Sequence, residues 1–525
     1  MRISARQTVT LLSLLAGCVG EVGQSEELQT ATGVRVDDEQ RAVAQAPGVD
    51  AGASADANAC PAGQQRAPAA GLRIREVALY QTVKLPLYQN NAWVAPTSRV
   101  VPLIQNRTAL ARIFVDTLAG YRARPLRGTL TLQNGTTSTV LTSDRTLSAA
   151  STDADLNSTF TFNVNGAQIG PSTQVTFAVE EPQCGSTAAA VAGTRVPATG
   201  TQALTATATG KLRVVIVPIS VGGLLPSTTP QDLADIKAAL YAYYPVPSVE
   251  VSVRSQPLQV AGTMAGQNNA AWSNTLNQVM RTRSADRVDS DVYYFGLVRP
   301  AATFATYCRT GCILGIAPQT TRVQASAQVG LGAAFTESKL QNHETIVHEL
   351  GHAHGRGHAP CVQGGRIAGV DQRFPDKSGA IATWGWDNRN NTLYPPTHKD
   401  VMGYCRPNWI SAYTYVELAK RAQAVNKAAY VFAGINPVRW HSLIAYGDGT
   451  ARWGGEIETG LIGGDTEPAD VLDASGRVIK QVDVVRMELS HSSDQFFYIP
   501  EPGADWAAVA LHDRKLELSQ VAAPL

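Results

Sequence analysis

Charge of either sign is not in excess along this chain: 44 lysines and arginines stand against 43 aspartates and glutamates in 525 residues. No run of basic residues is interleaved with aromatics, so nothing marks a surface for nucleic acid or another polyanion. Past the first twenty residues no segment is apolar enough to cross a bilayer as a helix, and any anchor there has to be lipid alone. Repeats of fixed period are lacking too. What is left is a chain too long for one hydrophobic core, from which three folded domains are expected.

The first residues, MRISARQTVTLLSLLAGCVG, place Arg2 and Arg6 ahead of an apolar stretch from Val9 to Ala16. It is too short to span a membrane as a mature helix and fits a secretory signal peptide over 1–17. Its end, Leu15-Ala16-Gly17-Cys18, resembles the lipobox of bacterial lipoproteins. The resemblance implies that Cys18 is lipidated and holds an exported protein at the bacterial cell envelope, on the outer membrane or cell surface. The rival is an ordinary signal peptide that happens to contain a cysteine. Setting Cys18 aside leaves Cys60, Cys184, Cys308, Cys312, Cys361 and Cys405. An even number in an exported chain favours disulfides over free thiols. Proximity suggests Cys308 with Cys312; a zinc knuckle at that C-x-x-x-C would need a second cysteine pair of matching spacing, which the chain lacks.

Residues 18–70 are rich in Ala, Gln, Asp, Glu and Gly, nearly free of aromatics, and without periodicity, which reads as a flexible tether. Over 71–208 short apolar alternations such as ALARIFVDT and STFTFNVNG are broken by Asn-Gly and similar turns, so an all-β, sandwich-like domain of immunoglobulin type is expected. From KLRVVIVPIS onward strands alternate with helices, and 209–429 forms the α/β part. There Thr229, Pro230 and Asp232 predict a helix start, Ser411 a cap for the helix at YTYVELAKRAQAV, and ASAQVGLG an edge strand. Alternation returns over 430–525, which predicts a small β domain.

Five of the nine histidines fall between His343 and His358, in NHETIVHELGHAHGRGHAPC. Ser338 and Gln341 stand in the S-x-x-Q relation of a capping box ahead of an apolar-periodic run, which predicts a helix from near Lys339 to about Gly355. His348 and His352, four apart, share one face of it and can reach one ion. Glu349 follows His348, where its carboxylate can reach a water beside the metal without being a ligand. Zinc in a hydrolase takes three protein ligands, and Gly355 can adopt the left-handed conformation that turns the chain back and brings His358 over the same ion. His343 lies about 140 degrees around the helix from His348, and His354 about 160 degrees from His352. Both are therefore expected to be solvated or capping side chains.

The stretch HELGHAHGRGH is similar to the zinc-binding consensus of the metzincin metalloproteases, H-E-x-x-H-x-x-G-x-x-H, matched by His348, Glu349, His352, Gly355 and His358. That resemblance implies one catalytic Zn²⁺, a mixed sheet of the five-stranded type with an active-site helix, and a Met-turn beneath the ligands, for which DVMGYC offers Met402. Tyr404, two residues on, matches a tyrosine that in some members approaches the zinc and stabilises the transition state; a buried structural phenol is the alternative. Since the segments after His358 and Met402 should meet beneath the metal, the resemblance also favours a bridge from Cys361 to Cys405. More loosely, the leader, the β domain ahead of the protease and WGWDNRNN followed by DVMGYCRPNWIS resemble secreted StcE-like mucinases.

The function this implies is a zinc endopeptidase acting on extracellular proteins or glycoproteins, with a zinc-bound water and Glu349 as general base. Two rivals stand beside it. One is a surface adhesion or carbohydrate-binding protein on a degenerate protease core, against which the intact glutamate and ligands argue; the other is a zinc hydrolase of non-peptide substrates.

Overall fold

The computed structural model describes residues 60–517 except 62–63, 186–190, 265, 310, 321–326, 362–368, 433–437, 460–464, 501–502, 504 and 512–514. The signal peptide over 1–17, Cys18 and the tether as far as residue 59 lie outside the described residues. The chain is multidomain and rich in β-structure, and no helix among the described residues is long and apolar enough to cross a membrane.

Two antiparallel sheets form the N-terminal part. One runs in the order Gln65–Pro68, Gln174–Gly185, Arg124–Asn134, Thr137–Leu147; the other is built on Val83–Gln89, Leu72–Gln81, Ala109–Thr117 and Phe160–Val164. Their inward residues, among them Leu79, Ile113, Leu130 and Phe177, share one buried core, as the alternating pattern requires of a sandwich. Two features depart from the sequence reading. The tether does not extend to residue 70, because Gln65–Pro68 pairs with Gln174–Gly185 and a disulfide joins Cys60 to Cys184. The second sheet is also lengthened by Gly385–Asp387 and Thr392–Tyr394, which come from far along the chain, so the sandwich and the α/β part are built into one another.

The α/β sheet has the order Val249–Val253, Leu212–Val221, Val292–Val298, Val329–Ala333, Gly315–Ile316, parallel except for the last strand; Leu258–Val260 pairs with the second half of Leu212–Val221. Both faces are covered, which explains the unbroken apolar run VYYFGLV. Tyr293, Phe295 and Leu297 join the core under the helices Pro230–Tyr243 and Lys339–Ala353, whereas Tyr294 and Val298 face the helix Asn269–Ala285. Thr229 caps this helix as expected, and with Asp232 it forms a capping box, with Pro230 in the first turn. ASAQVGLG is not at the edge: Val329–Ala333 is flanked on both sides, and the edge is Gly315–Ile316, a two-residue strand too short to carry a periodic signal. At Gly315 a Cβ would lie 2.5 Å from the Glu349 side chain, so only glycine lets this edge run against the motif helix.

A single C-terminal sheet runs Ala451–Thr459, Val438–Ala445, Gln495–Pro500, Val478–Leu489, Asp465–Leu472, Ala508–Ala510, Lys515–Glu517. It does not stand apart. Ile444, Val485, Met487, Phe496 and Tyr498 share a buried core with Trp272, Leu276 and Met280 of the helix Asn269–Ala285, and Pro318–Gln319 of the α/β part pairs with the end of Val478–Leu489.

Beneath the motif helix the chain returns through Asp400–Cys405. Buried Asp400 accepts hydrogen bonds from the amides of Met402 (2.8 Å) and Ser411 (2.9 Å) and from the Thr414 hydroxyl (2.8 Å), which shapes this turn and starts the helix Ala412–Phe432. Ser411 caps that helix by accepting from the Thr414 amide. Met402 is then pressed against Gly351, where a Cβ would fall 2.4 Å from its sulfur. Alanine gains about 1 kcal/mol over glycine in a helix, but forcing a methyl into a filled core costs about 1–3 kcal/mol. Gly351→Ala should therefore lower the denaturant midpoint, and the same change made on Met402→Ala should be neutral or stabilising. A higher midpoint for the single variant would show that Met402 does not abut the helix.

Candidate metal centre

The motif helix spans Lys339–Ala353, within two residues of the expected end. Ser338 stands at its N-cap without a side-chain hydrogen bond, so the expected capping box is not made; Asn342 instead ties the entry by bonding both the N–H and the C=O of Phe335. At the other end Gly355 has φ +81°, and two hydrogen bonds, Gly355 N–H to His352 O (2.7 Å) and Arg356 N–H to Gly351 O (3.0 Å), form a Schellman motif. The chain reverses there. His358 is then held by its own N–H on Gly369 O and by Asp371 N–H on its carbonyl.

The reversal brings three imidazoles together. His352 Nε2 lies 3.0 Å from His348 Nε2 and 3.1 Å from His358 Nε2. His348 donates from Nδ1 to Val401 O (2.8 Å) and His352 from Nδ1 to Arg356 O (2.6 Å), which leaves their Nε2 lone pairs facing inward. All three rings are buried. Burial lowers the pKa of His348 to about 4 and that of His352 well below the usual value, with repulsion from the neighbouring rings adding to the second shift. Neutral rings with converging lone pairs are what a metal ion requires.

The two remaining motif histidines point elsewhere. His343 is partly exposed beside a groove with Asp232 and Lys339. His354 is the helix C-cap and takes the capping alternative, its Nδ1 bonding Leu350 O, but it is not solvated: the residue is 2% exposed and its ring stacks on Tyr293 at 4.5 Å. Its backbone ends the helix while its side chain fills the core under it.

Sequence reasoning missed a fourth histidine. His491, in the turn after Val478–Leu489, sets Nε2 3.2 Å from both His348 Nε2 and His358 Nε2 and 3.4 Å from His352 Nε2. One ligand atom from each of the four rings lies within 4.8 Å of the others. It stands 133 residues beyond His358, in a segment read only as β-structure, and no spacing rule reaches that far. Its one local signal is φ +56°, visible only in the fold.

Glu349 is buried one residue from His348, and burial pushes its carboxyl up to about 8, against the opposing effect of a hydrogen bond from Ser490 Oγ (3.0 Å). A cation in the imidazole cluster would draw it back down. Tyr404 approaches from the Met402 turn, its hydroxyl 3.3 Å from His358 Nε2 and 2.8 Å from His491 Nδ1. That turn is sewn to the segment after His358 by Ala359 N–H on Met402 O, Tyr404 N–H on Cys361 O and a disulfide from Cys361 to Cys405. Cys308 and Cys312 form another.

No curated protein matches the chain in sequence. Residues 318–415, however, match the sequence model of the Peptidase M66 family. The matched stretch carries the motif helix, the three converging histidines, Glu349 and the Met402 turn, and it indicates a metallopeptidase.

Proposed function

We propose that the protein is a zinc endopeptidase of the metzincin type that hydrolyses peptide bonds of extracellular proteins or glycoproteins. One observation carries the reading: His348, His352 and His358 converge through Nε2 beside a buried glutamate that is not in the cluster, inside a peptidase-family match. One zinc ion held by these three imidazoles would supply the Lewis acidity that polarises the scissile carbonyl.

The chain's own residues do the rest. Glu349 takes a proton from the attacking water and returns it to the departing amine nitrogen. Tyr404, oriented by the turn at Met402, donates its hydroxyl toward the carbonyl oxygen as negative charge develops there. The edge formed by residues 315–319 runs beside the motif helix, where an extended substrate backbone can add as a further strand. Loose likeness to mucinases puts glycoproteins among the substrates, and the near-neutral charge supports no nucleic-acid partner.

Glu349→Gln keeps size and polarity but cannot accept a proton. Its expected outcome is loss of hydrolysis by about a thousandfold or more with metal content unchanged, and chelation of the parent should abolish cleavage that zinc then restores. Rate and zinc content are measured on one preparation; a zinc-loaded variant within about threefold of the parent, roughly 0.65 kcal/mol in barrier, removes Glu349 from the chemistry.

Export and attachment through a lipid on Cys18 complete the reading and place the enzyme at the cell envelope. Mass analysis of the mature N-terminus should find an acylated Cys18. An unmodified chain beginning elsewhere would replace the lipid anchor with plain secretion.

A further inference from the structure

We infer that His491 is a fourth protein ligand of the metal and that the turn carrying it holds the peptidase in a latent form, closed by its own C-terminal sheet. The inference rests on the peptidase reading and concerns how that site is regulated.

Its first support is geometric. Four nitrogens around one zinc ion at about 2.05 Å in a tetrahedron stand about 3.3 Å from one another. The three distances from His491 Nε2 to the other rings are 3.2, 3.2 and 3.4 Å, and those among the motif histidines include 3.0 and 3.1 Å. These five separations are close to that spacing, so His491 adds a fourth nitrogen to the cluster that His348, His352 and His358 begin. Its Nδ1, 2.8 Å from the Tyr404 hydroxyl, is the position for the ring proton, which leaves Nε2 with the lone pair. Closed sites with four protein ligands are structural in character; catalytic sites keep one position open. Here the open position is filled from within.

The second support is that the neighbouring residues occupy the remaining working parts. Ser490 donates its hydroxyl to Glu349 Oε2 at 3.0 Å, engaging the base. The same residue exchanges two hydrogen bonds with Ala317, its N–H on Ala317 O and its Oγ accepting from Ala317 N–H, both 2.8 Å. Just before it, Leu489 and Glu488 pair antiparallel with Pro318 and Gln319. The stretch 488–491 thus lies along the edge where a substrate backbone would add, in the manner of an extended peptide that is not cut. The far end of the turn is tied down by Asp494, which accepts from Ser273 Oγ at 2.7 Å and from Gly447 N–H at 2.9 Å. Between those two moorings the ring is directed into the site. Opening requires Ser490 to give up its three hydrogen bonds and His491 to leave the metal, while the sheet behind it stays packed on the helix Asn269–Ala285.

X-ray absorption at the zinc edge of the full-length, zinc-loaded protein tests the ligand without any variant: four imidazole nitrogens are expected, and three imidazoles with an oxygen would overturn the proposal. His491→Asn, a residue that tolerates positive φ, and His491→Gly should both retain the fold by thermal unfolding, show one imidazole fewer and bind zinc more weakly in competition with a chromogenic chelator. Cleavage of an unfolded protein substrate should rise. If the parent is open for about 1–10% of the time, the rise is about 10- to 100-fold. Unchanged turnover in zinc-loaded variants of an active parent would overturn latency, and lower turnover would overturn it and make His491 a helper of the reaction. Four imidazoles falling to three, with neither parent nor variants cleaving any protein, would keep the fourth ligand and sink the peptidase reading together with the latency built on it.

Discussion

Buried imidazoles that aim lone pairs at a common point repel one another unless a cation stands between them, and the fold around this site is arranged to hold them there. Each ring of the helix is locked from behind: His348 by a carbonyl of the Met402 turn, His352 by the carbonyl of Arg356, which the Schellman motif places within reach. Gly355 supplies the reversal, and Gly351, without a Cβ, lets Met402 close the underside of the helix. A site assembled this way is stiff before any ion enters, because a ring that rotated would leave its buried Nδ1–H without an acceptor.

That stiffness depends on parts of the chain far from the motif. The Met402 turn continues into Trp409, whose indole N–H is held by Thr82 O in the N-terminal sandwich, while the fully buried Arg107 guanidinium joins Thr82 to the carbonyls of Tyr241 and Val246. Gly385–Asp387 extends the same sandwich from the other side. The N-terminal sheets therefore act as a wall that fixes the turn under the histidines, and a single buried core runs through both.

On the opposite face the C-terminal sheet shares its core with the helix Asn269–Ala285 and is further pinned by Asn277, which bonds Gly454 O and the Ser442 hydroxyl. An apolar interface of this kind keeps the sheet in place, and among its described residues it is the turn at 490–494 that reaches the cluster. Control of the site in the proposed latent form is thus a matter of a few polar contacts set on a rigid support, which is the range of energies that a ligand or a modest rearrangement can shift.

The elements that repeat a local rule were legible in the chain itself. The three-histidine motif, Glu349 between its first two members, the helix that carries it, the cap at Thr229 and the β-rich character of both ends follow from spacing, periodicity and capping chemistry, each of which acts within about a dozen residues. The pairing of Cys361 with Cys405 came from a family resemblance, and the fold does bring the two together. What escaped was everything set by meetings across long distances. The edge strand at Gly315–Ile316 is too short to show a period; His354 could be placed by helical phase but not assigned to the core, since Tyr293 and Tyr244 arrive from other elements. His491 and Ser490 carry no motif, because their place beside Glu349 is decided by how a sheet packs on a helix more than a hundred residues earlier. Sequence determined which residues of the motif can hold a metal, because ligand spacing is a property of one helix and its cap; only tertiary structure decided that His491 joins them, because that depends on surfaces that recognise each other after the helices and sheets have formed.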